Sequence, residues 1–140
     1  AEPQQMYRHL RAGAESGWDY SCRWFSDVNR FETIHTTDIV PVDLNCLLYY
    51  LELTIAAAHE SKNEVNEAEL MRKKAAQRKQ AIQTYCWNDA LQFYTDFDFI
   101  HAEATLVQSL AASFALYFGI ATTEQADAIA ASLQDEFLKD

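Results

Sequence analysis

The chain is predicted to be all-α, interrupted by one short extended segment near Phe93 to Phe99. Three observations point there. Two prolines and three glycines in 140 residues leave little turn chemistry and favour long helices joined by short connections. Apolar residues recur at three- and four-residue steps over several long stretches, the period of one helical face. The ends of those stretches carry their own signals: Pro41 suits a first helical turn, Gly119 a left-handed cap, and Thr122 with Gln125 a capping box.

In chain order, a short helix fits Phe25 to Ile34. After Pro41 a long helix is expected from about Val42 to about Glu60, burying Leu44, Leu47, Leu48, Leu51, Ile55 and Ala58. A polar gap at Ser61 to Asn63 precedes a second long helix to about Tyr85, with a narrower stripe of Ala68, Met71, Ala75, Ile82 and Tyr85. Arg78 falls on that same line, so either the face is half buried or Arg78 finds a partner. Asn88 and Asp89 are turn chemistry. Beyond them Phe93, Thr95, Phe97 and Phe99 alternate with Tyr94, Asp96 and Asp98, the period of a strand or extended loop. A third helix, from about Ala102 to Phe118, would bury Leu106, Leu110, Phe114, Tyr117 and Phe118. A fourth, opened by Thr122, would bury Ala126, Ile129, Ala130, Leu133 and Phe137. No fixed period repeats, so nothing indicates a solenoid.

Composition narrows the function. With 49% hydrophobic residues the chain can bury one core, so residues 1–140 are read as one domain or part of one. A net charge of −10 argues against nucleic acid, whose phosphates would repel an acidic surface. The basic cluster Arg72, Lys73, Lys74, Arg78 and Lys79 lies within a single helix and reads as its solvated face. No apolar run is long enough to span a membrane, and the start Ala-Glu-Pro-Gln-Gln has no signal-peptide pattern, although a fragment would have lost one. Cys22, Cys46 and Cys86 are odd in number and widely spaced, which fits buried free thiols in a reducing compartment; cytoplasm is expected, with periplasm the alternative. His9, His35, His59 and His101 show no metal spacing, and neither metal nor cofactor is expected.

One run stands apart from the helical pattern. Arg11 to Trp24 reads Arg-Ala-Gly-Ala-Glu-Ser-Gly-Trp-Asp-Tyr-Ser-Cys-Arg-Trp, placing Glu15, Asp19, Arg11, Arg23, Trp18, Tyr20 and Trp24 within fourteen residues. Aromatic faces can stack on the C–H surface of a pyranose, while carboxylates and guanidinium groups hydrogen-bond hydroxyls. Gly13 and Gly17 would give the backbone a loop's freedom. The alternative is a loop that buries its tryptophans, with Arg11 and Arg23 paired to Glu15 or to backbone carbonyls, and with Asp43 and Asn45 satisfying a helix start.

That run, followed by Thr36-Thr37-Asp38-Ile39-Val40-Pro41-Val42-Asp43-Leu44-Asn45, resembles the trehalases, glycoside hydrolases that split α,α-trehalose into two glucoses. Tyr85-Cys86-Trp87-Asn88-Asp89 and Phe93-Tyr94-Thr95-Asp96-Phe97-Asp98 extend the likeness more loosely. Cys22 stands where the family usually carries serine. The resemblance implies that Asp19 is the general acid and that Gly17 lies against substrate; by their own chemistry Trp18, Arg11 and Glu15 are further candidate substrate contacts. It also implies an (α/α)6 toroid of helical hairpins.

Inversion at a sugar needs a second carboxylate roughly 6.5 to 9.5 Å from the acid, to activate water on the opposite face. The family carries that glutamate in a glycine-rich segment, Gly-Gly-Gly-Gly-Glu-Tyr, and no such segment occurs in this sequence. The expectation is therefore a fragment of the catalytic domain, an incomplete toroid that is inactive alone and exposes enough apolar surface to self-associate. A competing reading is a small helical interaction module without catalysis, which accounts for the helices but not for the Arg11 to Trp24 run.

Overall fold

The computed structural model describes residues 3–138, mostly helical with a few short strands. Helix α1, Pro3–Glu15, is an element the apolar pattern does not reveal. It opens on proline and is filled with good helix formers, among them Gln4, Gln5, Met6, Arg8, Leu10 and Arg11. Gly13 is thus helical, contrary to the expectation of loop freedom. What it provides is closeness: a Cβ there would lie 3.5 Å from both Ile34 Cδ1 and Thr36 Oγ1. Met6 and Leu10 pack with Trp24, Phe25, Ile34 and Ile39 in one apolar cluster.

Residues 16–41 hold no long helix. Short 3-10 turns at Cys22–Trp24, Phe31–Thr33 and Thr36–Asp38 alternate with extended backbone, and Phe25 bridges Ile34. The short helix expected at Phe25 to Ile34 is replaced by this hairpin, because Asp27 and Thr33 spend their side chains on local backbone N–H and C=O groups.

Helices α2, Val42–Ser61, and α3, Val65–Tyr85, form an antiparallel hairpin through Asn63, a left-handed residue with φ of 60°. Arg78 does find partners: it forks onto Glu52 at 2.8 and 3.1 Å and donates to Asn45 at 2.8 Å. The buried face of α2 is Val42, Asp43, Cys46 and Ala56. Leu44, Leu47 and Leu51, assigned to the core above, are each about half exposed. The correction has a physical cause: α2 is apolar on nearly every side, so periodicity cannot choose between two apolar faces. On α3 the inner face is Ala68, Ala75 and Ile82, while Tyr85 is exposed.

The extended segment is confirmed as two short strands, β3, Phe93–Tyr94, and β4, Phe97–Asp98, preceded in the chain by β1, Ile39–Val40, and β2, Trp87–Asn88. β2 and β3 pair as a hairpin, and β1 pairs antiparallel with β4. The expected alternation is absent, since Phe93 to Asp96 are all buried and Phe99 is exposed. Asp96 can sit there only because it is paired, as described below.

The third helix is much shorter than expected. β5, Glu103–Ala104, pairs with β4, Thr105 N–H donates to Asp96 O at 2.7 Å, and Ala102 is left-handed, so the sheet captures the start of that segment. Only α4, Ser113–Tyr117, remains after a 3-10 turn at Leu110–Ala112, which leaves Leu106 and Tyr117 largely exposed. Gly119 closes it with φ of 64°, and Ile120 N–H reaches back to Ala115 O at 2.9 Å. Lys79 and Gln83 on α3 hold the Gly119 and Ile120 carbonyls at 2.7 and 2.9 Å. Helix α5, Thr123–Ser132, opens with the expected Thr122–Gln125 capping box and buries Ile129, ending in a π-turn at Leu133–Phe137. Ala130 is exposed, outside the face that packs. The main core joins Val42, Cys46, Ile82, Phe93, Tyr94, Ala111, Ala115, Ile120 and Ile129.

Apolar side chains stay exposed on neighbouring elements. Tyr50 of α2 stacks on Phe118 at 5.0 Å, and Leu44, Leu47, Leu51, Leu110 and Tyr117 are each about half exposed or more. Exposed apolar area of this kind favours association in water. The 140-residue chain, purified alone, is expected to self-associate and to brighten a hydrophobic dye; a dye-silent monomer in light scattering would contradict this.

Candidate active site

Gly17, Trp18 and Asp19 share one tight turn after α1. Gly17 takes φ of 78°, and nothing lies within 4 Å of where its Cβ would be, so the backbone is open on that side. Trp18 is tied on every polar group. Its N–H donates to Ser16 Oγ at 3.0 Å, its carbonyl accepts from Ser21 N–H and Trp24 Nε1 at 3.0 Å each, and its own Nε1 donates to Asp43 Oδ2 at 2.7 Å. Tyr20 follows with φ of 53°, a left-handed conformation that costs a non-glycine residue energy, and its ring meets Phe31 edge-on at 5.3 Å. Asp19, between these anchors, is exposed, and its carboxylate takes no hydrogen bond or ion pair from the described residues.

Beneath the turn lies Arg23, whose side chain is fully buried. Its Nε donates to Asp96 Oδ2 at 2.7 Å and its Nη2 to Asp96 Oδ1, while Nη2 and Nη1 reach Asp43 at 3.0 and 3.3 Å. The guanidinium also lies 4.5 Å from the Trp24 ring centre and 5.0 Å from that of Trp18, within cation–π range. Burial alone would push the Arg23 pKa down; the hydrogen bonds and charges of Asp96 and then Asp43 outweigh it and raise it instead. Asp96 Oδ1 additionally accepts Val42 N–H at 2.9 Å, so the pair also satisfies the start of α2.

Arg11 and Glu15 sit apart from this cluster. They pair with each other at 2.9 Å, one helical turn apart, with side chains 80% and 64% exposed, so the interaction is worth little to stability. Glu15 nonetheless lines a cavity of about 140 Å³ with Ser16, Trp18, Trp24, Asp43 and Leu44. Of the five residues singled out in the sequence, three therefore share the turn, Glu15 reaches its flank, and Arg11 points onto the α1 surface as the partner of Glu15. Asp43 and Asp96, which hold Arg23 beneath the turn, are the residues that sequence reasoning did not bring to this site. They lie 20 and 73 positions from Arg23, so no local pattern joins them. A carboxylate inside the aromatic run Phe93 to Phe99 was the available signal, since such a group is buried only when paired.

On the other side of Arg23 is a larger cavity of about 720 Å³, lined by Phe25, His35, Asp98, His101, Glu103 and Phe137 among others. Asp98 accepts from Ile100 N–H, His101 N–H and His101 Nδ1 at 2.8 to 3.0 Å. Burial would raise its pKa, but His101 and those two backbone groups hold it below the ordinary carboxylate value. His101 is raised by its hydrogen bond to Asp98 and by that charge, whereas burial above all lowers His35, whose Nδ1 stands 3.8 Å from Asp98. Burial also drives the Cys46 and Cys86 thiols to about 12, leaving both inert. Among the described residues no group of three or more His, Cys, Asp or Glu is arranged to hold a metal ion.

The helical hairpin, the short sheet beside it and the mostly helical content are those of part of a helical toroid. The family model for trehalase matches residues 1–139, and the chain belongs to the trehalase family. Among solved structures it is similar to neutral trehalase from Saccharomyces cerevisiae, with a TM-score of 0.76 and 27% identity over 93% of this chain. The chain spans only 24% of the length of that structure.

The Asp98–His101 pair has a defined pH window. His101 is raised above its ordinary 6.5, so its contribution is complete below that value and fades as pH rises through the folded pKa. Asp98 is lowered, so its contribution is present above its ordinary 3.8 and is lost as pH falls through the folded value. NMR titration should place His101 above 6.5, with Asp98→Asn returning it towards that value; an unmoved midpoint would discount the pair.

Proposed function

We propose that this chain is part of the catalytic domain of an inverting glycosidase that hydrolyses α,α-trehalose to two glucose molecules, and that Asp19 is its general acid. The observation that carries this reading is the contrast within one turn: the adjacent Trp18 is tied through every polar group, while the Asp19 carboxylate is exposed and takes no hydrogen bond or ion pair from the described residues. A general acid must be held in place by its backbone yet have its proton uncommitted. In the proposed reaction Asp19 donates that proton to the bridging oxygen as the glycosidic bond breaks through an oxocarbenium-like state, and water attacks the opposite face of the sugar.

Gly17, with open space where a side chain would be, lets substrate approach the backbone. Trp18 and Glu15 line the adjoining cavity and would contact the sugar beside it, and Arg11 would act by orienting Glu15. The water-activating base comes from a part of the catalytic domain outside these 140 residues, in keeping with a chain that spans a quarter of its structural neighbour. No cofactor enters this chemistry. Cys46 and Cys86 are buried free thiols while Cys22, expected buried, is exposed, and three unpaired thiols suit a reducing compartment, cytoplasmic by this reading. No described helix is long and apolar enough to cross a membrane. A non-catalytic interaction module would explain the apolar surface of α2 and α4, but it leaves the Asp19 turn without a purpose.

Two measurements test the proposal. The 140-residue chain alone should release no glucose from trehalose, because one carboxylate cannot serve as both acid and base. In the longer enzyme that contains it, Asp19→Asn should lower kcat by roughly 10² to 10⁴ with the fold intact, while Glu15→Gln should act mainly on KM. Near-normal turnover by Asp19→Asn would remove Asp19 from the reaction.

A further inference from the structure

We infer that Asp43 and Asp96 are positioning residues for Asp19, acting through Arg23 and the Trp18 indole. The inference rests on Asp19 being the general acid. The chain of contacts is continuous. Asp96 grips two donors of Arg23 and the first amide of α2; Arg23 grips Asp43; Asp43 accepts the Trp18 indole N–H at 2.7 Å; and Trp18 is bonded directly to Asp19. The elements behind it are α2, which carries Asp43 in its first turn, and the segment between β3 and β4, which carries Asp96. Both are buried, so the reference frame for the turn is the protein core and not the surface.

The local geometry makes the Trp18 contact decisive. Gly17 and Tyr20 both hold left-handed backbone, so the turn has no regular secondary structure to hold its shape. Its fixed points are Ser16 and Trp24 on the backbone of Trp18, and Asp43 on the side chain. Of these hydrogen bonds, only that of Asp43 reaches the indole and fixes its rotation, beside the packing of the ring on Arg23 and the two apolar clusters. Releasing that ring lets the adjacent peptide and the Asp19 Cα–Cβ direction drift, and a displacement of about 1 Å at a catalytic group can cost up to roughly 100-fold in rate.

A buried ion pair that served only stability would show a different signature, and the test is built on that difference. In the longer enzyme, Trp18→Phe removes the N–H while keeping a ring over Arg23, and Asp43 keeps both of its Arg23 contacts. The expected result is a kcat on trehalose lowered about 10- to 100-fold with KM changed less than about threefold and the melting temperature little altered. With α-glucosyl fluoride, whose fluoride leaves without needing a proton, the loss caused by Trp18→Phe should be several-fold smaller than the loss on trehalose. Asp43→Asn, which also weakens the Arg23 pair, should show the same substrate contrast together with a lower melting temperature.

Equal losses on both substrates would overturn the inference and make Trp18 structural. A KM rise shared by both, with kcat unchanged on either, would overturn it and leave Trp18 as a wall of the sugar site alone. Asp19→Asn, run in parallel, separates the two levels. If it loses trehalose turnover while Trp18→Phe does not, the relay fails and the general acid stands. If Asp19→Asn keeps trehalose turnover, both fail together.

Discussion

A single buried guanidinium organises this molecule. Arg23 lies under the turn that bears Asp19 and is matched by Asp43 and Asp96, which enter from α2 and from the strand region of the chain. A charge taken out of water must be compensated with good geometry or it destabilises strongly, so these three residues cannot drift independently. Trp18 and Trp24 close over the guanidinium on their ring faces. Trp18 packs against both apolar clusters, the one under α1 and the larger one between the α2–α3 hairpin and α5. The ionic cluster thus sits where the two cores meet and sets their relative placement.

That seam also explains why the strand region is where it is. β1 precedes α2 directly and pairs with β4, so the segment that brings Asp96 to Arg23 is held by the same backbone that starts α2. The larger cavity then forms on the far side of Arg23, with Asp98 at its wall two residues beyond Asp96. Alternate acids of one extended run serve different neighbours: Asp96 faces the guanidinium, and Asp98 the imidazoles.

The parts of the fold that could be read from sequence were those decided locally. Pro41 and Gly119 mark helix ends, Thr122 and Gln125 cap each other, and α2 and α3 have nearly the expected bounds, because each depends on residues within a turn of one another. What could not be read was decided at a distance. Strand pairing by Glu103 and Ala104 overrides the helical pattern of the segment after Ala102, and α2 offers two apolar faces between which only its neighbours choose. The same division holds at the site. The Gly17-Trp18-Asp19 turn is legible because its residues are adjacent, whereas Asp43 looks like a helix-start residue until the fold brings it to Arg23. Arg11 and Glu15 read as binding residues because they are close in sequence, yet closeness of this kind on a helix first makes them partners of each other.

The unattached carboxylate of Asp19 has an evolutionary consequence. Residues on either side of it are committed to the architecture, but the Asp19 side chain itself supports nothing. Under the proposed role of Asp19, chemistry and folding are written into adjacent but separate letters of the sequence. A lineage could then lose the acid by a single codon change and still inherit the same shape, so descendants that have abandoned catalysis would be hard to recognise by fold alone and easy to recognise by this one position.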